Sequence, residues 1–187
     1  KELGVKEMIE QTPHFMVDSI IFGSTNGNTV KVMLPQDEFE KKMAGYSLPR
    51  IQFDYMMFKR ATELVIESGG SVIQGFSVTD VEVEDGSILG VVGKFGKRGE
   101  DFPLMRFRAP LTIGAGGYRC PVATTLVEGI NEEQMRDDAH YCGAYREYWE
   151  NVGGFEGRSG PIEIHFIDEV IPGYFWIFPV QEGIVNV

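Results

Sequence analysis

Nine consecutive residues constrain the fold of this chain more than any others: Pro172-Gly173-Tyr174-Phe175-Trp176-Ile177-Phe178-Pro179-Val180. The run is strongly aromatic, holds one of the two tryptophans and is pinned by a proline near each end. Its aromatics recur at every second position, which is the period of a strand. Tyr174, Trp176 and Phe178 therefore point to one face, and Phe175 and Ile177 to the other. Such a strand either buries both faces in a core or offers one as a flat aromatic wall to a ligand, and the residues leave both readings open.

At 187 residues and 43% apolar content the chain has enough material for one core, or for one domain and part of another. Seventeen basic against 28 acidic residues give a formal charge of −11, which argues against nucleic acid or an anionic membrane surface as main partner. Basic residues gather only in short runs, Lys41-Lys42 and Lys94 to Arg98. Cys120, Cys142 and three scattered histidines lack zinc-ligand spacing, so no metal site is expected and a reduced, cytoplasmic setting is. The longest apolar stretch, Val170 to Val180, is broken by Pro172 and Pro179 and is far short of the roughly 20 residues that span a bilayer. The chain starts at Lys1 rather than methionine and stops within the strand-like Ile184-Val185-Asn186-Val187, which reads as an internal piece of a longer protein.

Along the chain, Glu2 to Gln11 reads as a short helix. Phe15 to Phe22 and Thr29 to Leu34 read as strands joined by the hairpin signal Asn26-Gly27. Phe53, Met57, Ala61, Leu64 and Val65 fall at helical spacing and stop at Gly69-Gly70. Ser77 to Val83 and Ile88 to Val92 form a second hairpin around Asp85-Gly86, and Phe107 to Ile113 a further strand. Tyr141 to Val152 carries a helical stripe but strand-like aromatic content. Ile162 to Ile167, Tyr174 to Phe178 and Ile184 to Val187 look like an antiparallel meander. The class is α+β and strand-rich.

Several candidate sites weaken on inspection. Gly114-Ala115-Gly116-Gly117 could cradle a phosphate, but Arg119 stands where a dinucleotide fingerprint needs its third glycine, and a tight strand exit is the simpler account. His165 lies near Glu163 and Asp168 without a nucleophile turn, as expected of an exposed strand face. Cys142, beside His140 and Tyr141, reads as a half-buried structural thiol. Arg50, just before the helix carrying Asp54, either faces solvent or pairs with a carboxylate.

A series of segments in fixed order carries a resemblance. These are Arg50-Ile51-Gln52-Phe53-Asp54, Gly69-Gly70-Ser71-Val72-Ile73, Asp85-Gly86 with Gly90-Val91, Thr112 to Gly117, Arg146 to Val152, and Ile162 to Phe166 leading to Pro172 to Pro179. In this order the chain resembles the geranylgeranyl reductase family of FAD-dependent oxidoreductases, within the p-hydroxybenzoate-hydroxylase-like flavoproteins. The most specific element is Pro-Gly-Tyr-Phe-Trp-Ile-Phe-Pro, similar to the family's Tyr-x-Trp-x-Phe-Pro signature. The resemblance runs from about Phe15 to Val187 and matches the family's middle section. It implies an antiparallel-sheet substrate domain with helices on one face, mainly residues 14–110 and 131–187. It also implies part of an FAD-binding domain, in residues 45–75 and 105–130.

By this resemblance Arg50, Gly114, Gly116 and Gly117 approach the FAD, although the family's usual Asp-Gly is here Gly116-Gly117. Gly173, Tyr174, Trp176, Phe178 and Pro179 line the isoprenoid tunnel, and Arg146 to Val152 is a strand. The implied reaction reduces carbon–carbon double bonds of a polyprenyl group, with NADPH or another reductant as electron source, on a polyprenyl lipid or polyprenyl diphosphate. No catalytic acid or base is assigned. The implied protein is cytoplasmic with peripheral membrane contact, and the 187 residues alone are expected to be inactive. A flavin-dependent aromatic hydroxylase shares the architecture, and a non-enzymatic hydrophobic-ligand module is the other class of reading.

Overall fold

A computed structural model describes residues 3–35, 45–96 and 102–187; Glu2, Lys41-Lys42 and the end of the Lys94 to Arg98 run lie outside the described residues. The chain divides into two compact units, Lys1–Gly70 with Ala144–Val187, and Ser71–Gly143.

The first unit is built on a seven-stranded sheet of β1 (Phe15–Gly23), β2 (Thr29–Met33), β3 (Gly45–Ser47), β7 (Tyr148–Glu150), β8 (Ser159–His165), β9 (Phe175–Gln181) and β10 (Ile184–Asn186). Its order is β2-β1-β8-β9-β10-β7, with β3 also paired to β1. The Asn26-Gly27 turn forms as expected: Gly27 takes a positive φ of 82°, where a side chain would be strained. β8, β9 and β10 make the expected antiparallel meander. One pairing departs from an antiparallel sheet, because β1 and β8 run parallel. The long excursion between them, which includes the whole second unit, supplies the crossover that parallel neighbours require.

Two boundaries have local causes. Pro179 lacks a backbone donor, and the ladder of β9 to β8 ends at Ile177, two residues before it. Tyr148–Glu150 forms a strand on β10 rather than a helix, since extended pairing satisfies the backbone while leaving Trp149 and Tyr148 on opposite faces. The buried centre of this unit holds Phe15, Val17, Val180 and Val185.

Two helices belong to the same unit, α1 (Lys6–Glu10) and α2 (Arg50–Glu67). α1 is shorter than the Glu2 to Gln11 expected. α2 begins at Arg50 itself rather than after it, since Pro49 caps it, and ends as its sequence implies, with Gly69 at φ 81° just beyond it. Its inward stripe differs from the expected one: Met56 is the buried residue, while Ala61 and Leu64 are exposed.

The second unit carries an antiparallel three-stranded sheet, β4 (Phe76–Glu84), β5 (Ser87–Phe95) and β6 (Met105–Arg108), in that order. Asp85 and Gly86 both take positive φ in the β4–β5 turn. β6 stops well short of Ile113: Ala109 makes its last bond to Leu89, and Pro110 has no donor to continue the ladder. A short helix α3 (Pro121–Thr124), continued as a wider turn to Ile130, was not legible in the sequence. Val81, Cys120 and Val122 are its buried cluster.

On the sheet surface Arg108 Nε donates to Glu82 at 2.8 Å, and the second guanidinium nitrogen contacts the other carboxylate oxygen. Arg108 holds the Glu82 carboxyl below its usual range. A depressed carboxylate contributes stability that is present above its unfolded pKa and is lost as pH falls through the folded one. Acidification from pH 7 to about 3 should therefore weaken this sheet in urea unfolding. Glu82→Gln should lose that part of the pH dependence, and an unchanged acid profile would refute the assignment.

Candidate functional site

The aromatic strand forms a ladder on one face. Phe166 and Tyr174 lie 6.4 Å apart, Tyr174 and Trp176 6.0 Å, and Trp176 and Phe178 6.4 Å between ring centres. These spacings suit tilted and edge-on aromatic contacts. Tyr174 and Phe175 are exposed, whereas Pro179 and Val180 are buried, so the strand runs from surface to core. At its start the Ile171–Pro172 peptide is cis, and Gly173 N–H donates to the Val170 carbonyl at 2.6 Å. A Cβ on Gly173 would stand 2.9 Å from that oxygen, which explains glycine there.

Trp176 is tied in place. Its Nε1–H donates to Asn186 Oδ1 at 2.9 Å, and Asn186 Nδ2 donates to the Glu147 carbonyl at 3.2 Å. The second bond fixes which way the amide points. Glu147 also accepts from Trp149 Nε1 and from the Tyr145 hydroxyl, each at 2.8 Å, and these two donors hold its carboxyl below the usual range.

Phe178 opens onto a cavity of about 340 Å³, lined also by Phe53, Tyr148, Asn186, Arg50 and Arg146. Two of the expected site residues, Arg50 from the start of α2 and Phe178 from β9, thus meet in one space. Arg50 N–H donates to the Tyr148 hydroxyl at 3.1 Å. Its guanidinium grips Asp54 through two bonds, 2.9 and 3.2 Å, and this carboxylate raises its pKa. Arg146 lies over the Tyr148 ring at 5.7 Å. Sequence spacing does not mark Phe53, Arg146, Tyr148 and Asn186 as residues of this cavity. A half-buried indole needs an acceptor, and Asn186 lies ten residues on, across the tight Glu182-Gly183 turn.

The expected glycines fall in the second unit, beside a cavity of about 440 Å³ lined by Gly114, Gly116, Phe107, Leu111, Cys120 and Val122. Here their roles separate. A Cβ on Gly114 would stand 3.0 Å from the Ala123 nitrogen, and one on Gly116 3.3 Å from Cys120 Sγ, so both permit the turn to close on the start of α3. Gly117 has φ 73° and open space where a side chain would be. The Cys120 thiol is buried and held below its usual range by the backbone N–H of Ala123, then those of Gly116 and Val122. Nearby, Arg136 covers the Tyr118 ring at 4.0 Å and Tyr118 stacks on Tyr141 at 5.5 Å.

Other candidates resolve as structure. His165 is not on an exposed face: its ring packs on the Gly23 backbone and Nε2 meets Glu163 at 2.8 Å. Cys142 is exposed rather than half-buried. A polar cleft of about 500 Å³ in the first unit includes His14 and Arg158, and Arg158 already meets Glu182 at 3.4 Å. Among the described residues no group of three or more potential ligands could hold a metal ion, and no helix is long and apolar enough to cross a membrane.

No family model matches the chain. It is 26% identical to a digeranylgeranylglycerophospholipid reductase of Methanocella arvoryzae over 98% of its own length and 43% of the relative's. It is 31% identical to digeranylgeranylglycerophospholipid reductase 2 of Methanopyrus kandleri over 80% of its length and 34% of that protein's. The chain therefore spans less than half the length of the curated relatives it matches. Among solved structures it superposes on the myxobacterial chondrochloren halogenase CndH with a TM-score of 0.68 at 16% identity, over 98% of this chain and 39% of that one. The flavin-dependent brominase Bmp2 gives 0.58 at 15% identity, over 99% and 41%. The resemblance to the geranylgeranyl reductase family read from the sequence motifs therefore holds across nearly the whole chain, which takes the fold of the flavin-dependent halogenases over the part it shares with them.

Proposed function

We propose that this chain is part of an FAD-dependent oxidoreductase that reduces carbon–carbon double bonds of a polyprenyl group. The observation that carries the reading is the meeting of Arg50 and Phe178 in one aromatic cavity at the end of the Tyr174–Trp176–Phe178 ladder. The likeness to digeranylgeranylglycerophospholipid reductases supports the substrate class. At about 340 Å³ the cavity is at the small end of ligand sites, so it suits one end of a cofactor or a length of isoprenoid chain rather than a whole dinucleotide.

Reduced flavin, when bound, supplies the hydride. An isolated alkene is unpolarised, so acid–base groups on the protein can lower its barrier little, and alignment and exclusion of water become the protein's task. Gly173 lets the chain turn tightly into β9, and Tyr174, Trp176 and Phe178 give a rigid apolar wall, with Pro179 anchoring it in the core. Asn186 keeps the Trp176 indole from rotating. Arg50 presents a cation beside Phe178 whose position is set by Asp54 and Tyr148. Of the three turn glycines, Gly117 has the open backbone that a flat cofactor can approach, while Gly114 and Gly116 shape the turn behind it. NADPH or another reductant serves as electron donor, and the protein is cytoplasmic with peripheral access to lipid.

The test uses the full gene product. Purified protein is expected to carry FAD; after anaerobic reduction, its flavin spectrum should return on addition of a polyprenyl lipid, with a saturated product. Reoxidation only by oxygen in the presence of an aromatic substrate would replace this reading by the hydroxylase one, which the halogenase-like fold also accommodates.

A further inference from the structure

We propose that Arg146 recognises an anion at the rim of the aromatic cavity, and that its ligand is the phosphate group of a lipid whose apolar chain lies against Phe178. This rests on the polyprenyl reading above. In a chain of net charge −11, the lining of this cavity holds two arginines and no carboxylate. The charge of Arg50 is already engaged by Asp54 through two hydrogen bonds. Arg146 is different: it is exposed, rests over the Tyr148 ring, and has no carboxylate within ion-pair distance among the described residues. At 5.7 Å from the ring centre this is a loose cation–π contact, which leaves the guanidinium N–H groups free to bond.

The other residues at the cavity fit the same ligand. Ser47 brings a hydroxyl, the Tyr46 hydroxyl is already bonded to Glu10 at 2.7 Å, and Phe53, Phe178 and Val180 bring apolar surface. A cation at one edge and an apolar lining behind it select a molecule with a charged end and a greasy body. Phosphate here has two sources, a lipid headgroup or the diphosphate of a bound dinucleotide. The apolar lining favours the lipid. By contrast, the larger polar cleft of the same unit carries Glu10 and Glu182, and its Arg158 is paired with the latter.

Calorimetric titration of the full gene product with farnesyl phosphate and with farnesol tests this without requiring turnover. Wild-type protein should bind the phosphate more tightly than the alcohol, and raising the salt concentration should shrink that advantage. Arg146→Gln should weaken farnesyl phosphate by about tenfold and leave farnesol unchanged, the lower end for a charged hydrogen bond because the site is exposed. Arg146→Lys should recover part of the difference. Equal weakening of both ligands, no change in either, or loss of bound FAD with ligand affinity intact would each overturn the proposal. Phosphate discrimination through Arg146 in a protein that reduces no polyprenyl lipid would keep this inference and discard the reductase reading.

Discussion

Trp176→Ala is expected to lower kcat/KM for a polyprenyl substrate by about thirtyfold and to destabilise the first unit by about 2 kcal/mol. The half-buried indole withdraws on the order of 100 Å² from water, which at about 25 cal/mol per Å² is a little over 2 kcal/mol. The loss reaches beyond area, because Asn186 Oδ1 would be left without its donor and the link from β9 through β10 to Glu147 would slacken. The half of the ring that folding leaves exposed has a similar area, and losing about 2 kcal/mol of contact with the substrate there converts to the stated rate factor. Trp176→Phe keeps the aromatic area but not the N–H, and should recover most of the stability and part of the rate. Urea unfolding and anaerobic single-turnover kinetics measure the two effects. Ile51→Ser, at an 81% exposed position on α2, serves as the neutral control. A Trp176→Ala protein with wild-type turnover would remove the ladder from the site.

Gly90→Ala should cost the second unit about 3 kcal/mol. Gly90 sits in the central strand β5, opposite Glu82 on one side and Arg108 on the other. The Arg108–Glu82 pair bridges the two outer strands across this position, which a glycine leaves clear. A Cβ would stand 2.8 Å from Arg108 Cα and closer still to the Phe107 carbonyl oxygen, both backbone atoms that cannot swing aside. For a unit of this size such a loss lowers the thermal midpoint by about 10 to 20 °C. Hydrogen exchange of the β4–β6 amides, compared with those of β8–β10, localises it. Equal protection in wild type and variant would show that the sheet absorbs the methyl group without strain.

Local chemistry made much of this fold legible, and long-range pairing did not. Asn26-Gly27 and Asp85-Gly86 announce their hairpins because the turns need positive φ, and Gly69 ends α2 for the same reason. The strand at Tyr148–Glu150 follows the aromatic content and the resemblance against the helical stripe, since its periodicity is decided by pairing with β10. The parallel β1–β8 pairing is invisible in either strand alone, because it depends on an excursion of more than a hundred residues. Phe107 to Ile113 looks extended throughout, but Pro110 ends its ladder early.

At the site, the alternation of Tyr174, Trp176 and Phe178 fixes which rings share a face, and their contacts follow. Sequence spacing cannot show that Phe53 and Tyr148 close the same cavity, or that Asn186 is the acceptor for Trp176. Nor can it separate Gly117 from Gly114 and Gly116, whose difference lies in what a Cβ would meet.

On the proposed function, a length of isoprenoid chain lies against Phe178 in the aromatic cavity. Photo-crosslinking of the full gene product with a diazirine-bearing polyprenyl phosphate, followed by peptide mapping, tests it most directly. Label is expected on the peptides carrying Phe53, Tyr148 and Phe178 to Val180, and unlabelled polyprenyl phosphate should compete it away. Competed label confined to peptides outside these segments would contradict the account.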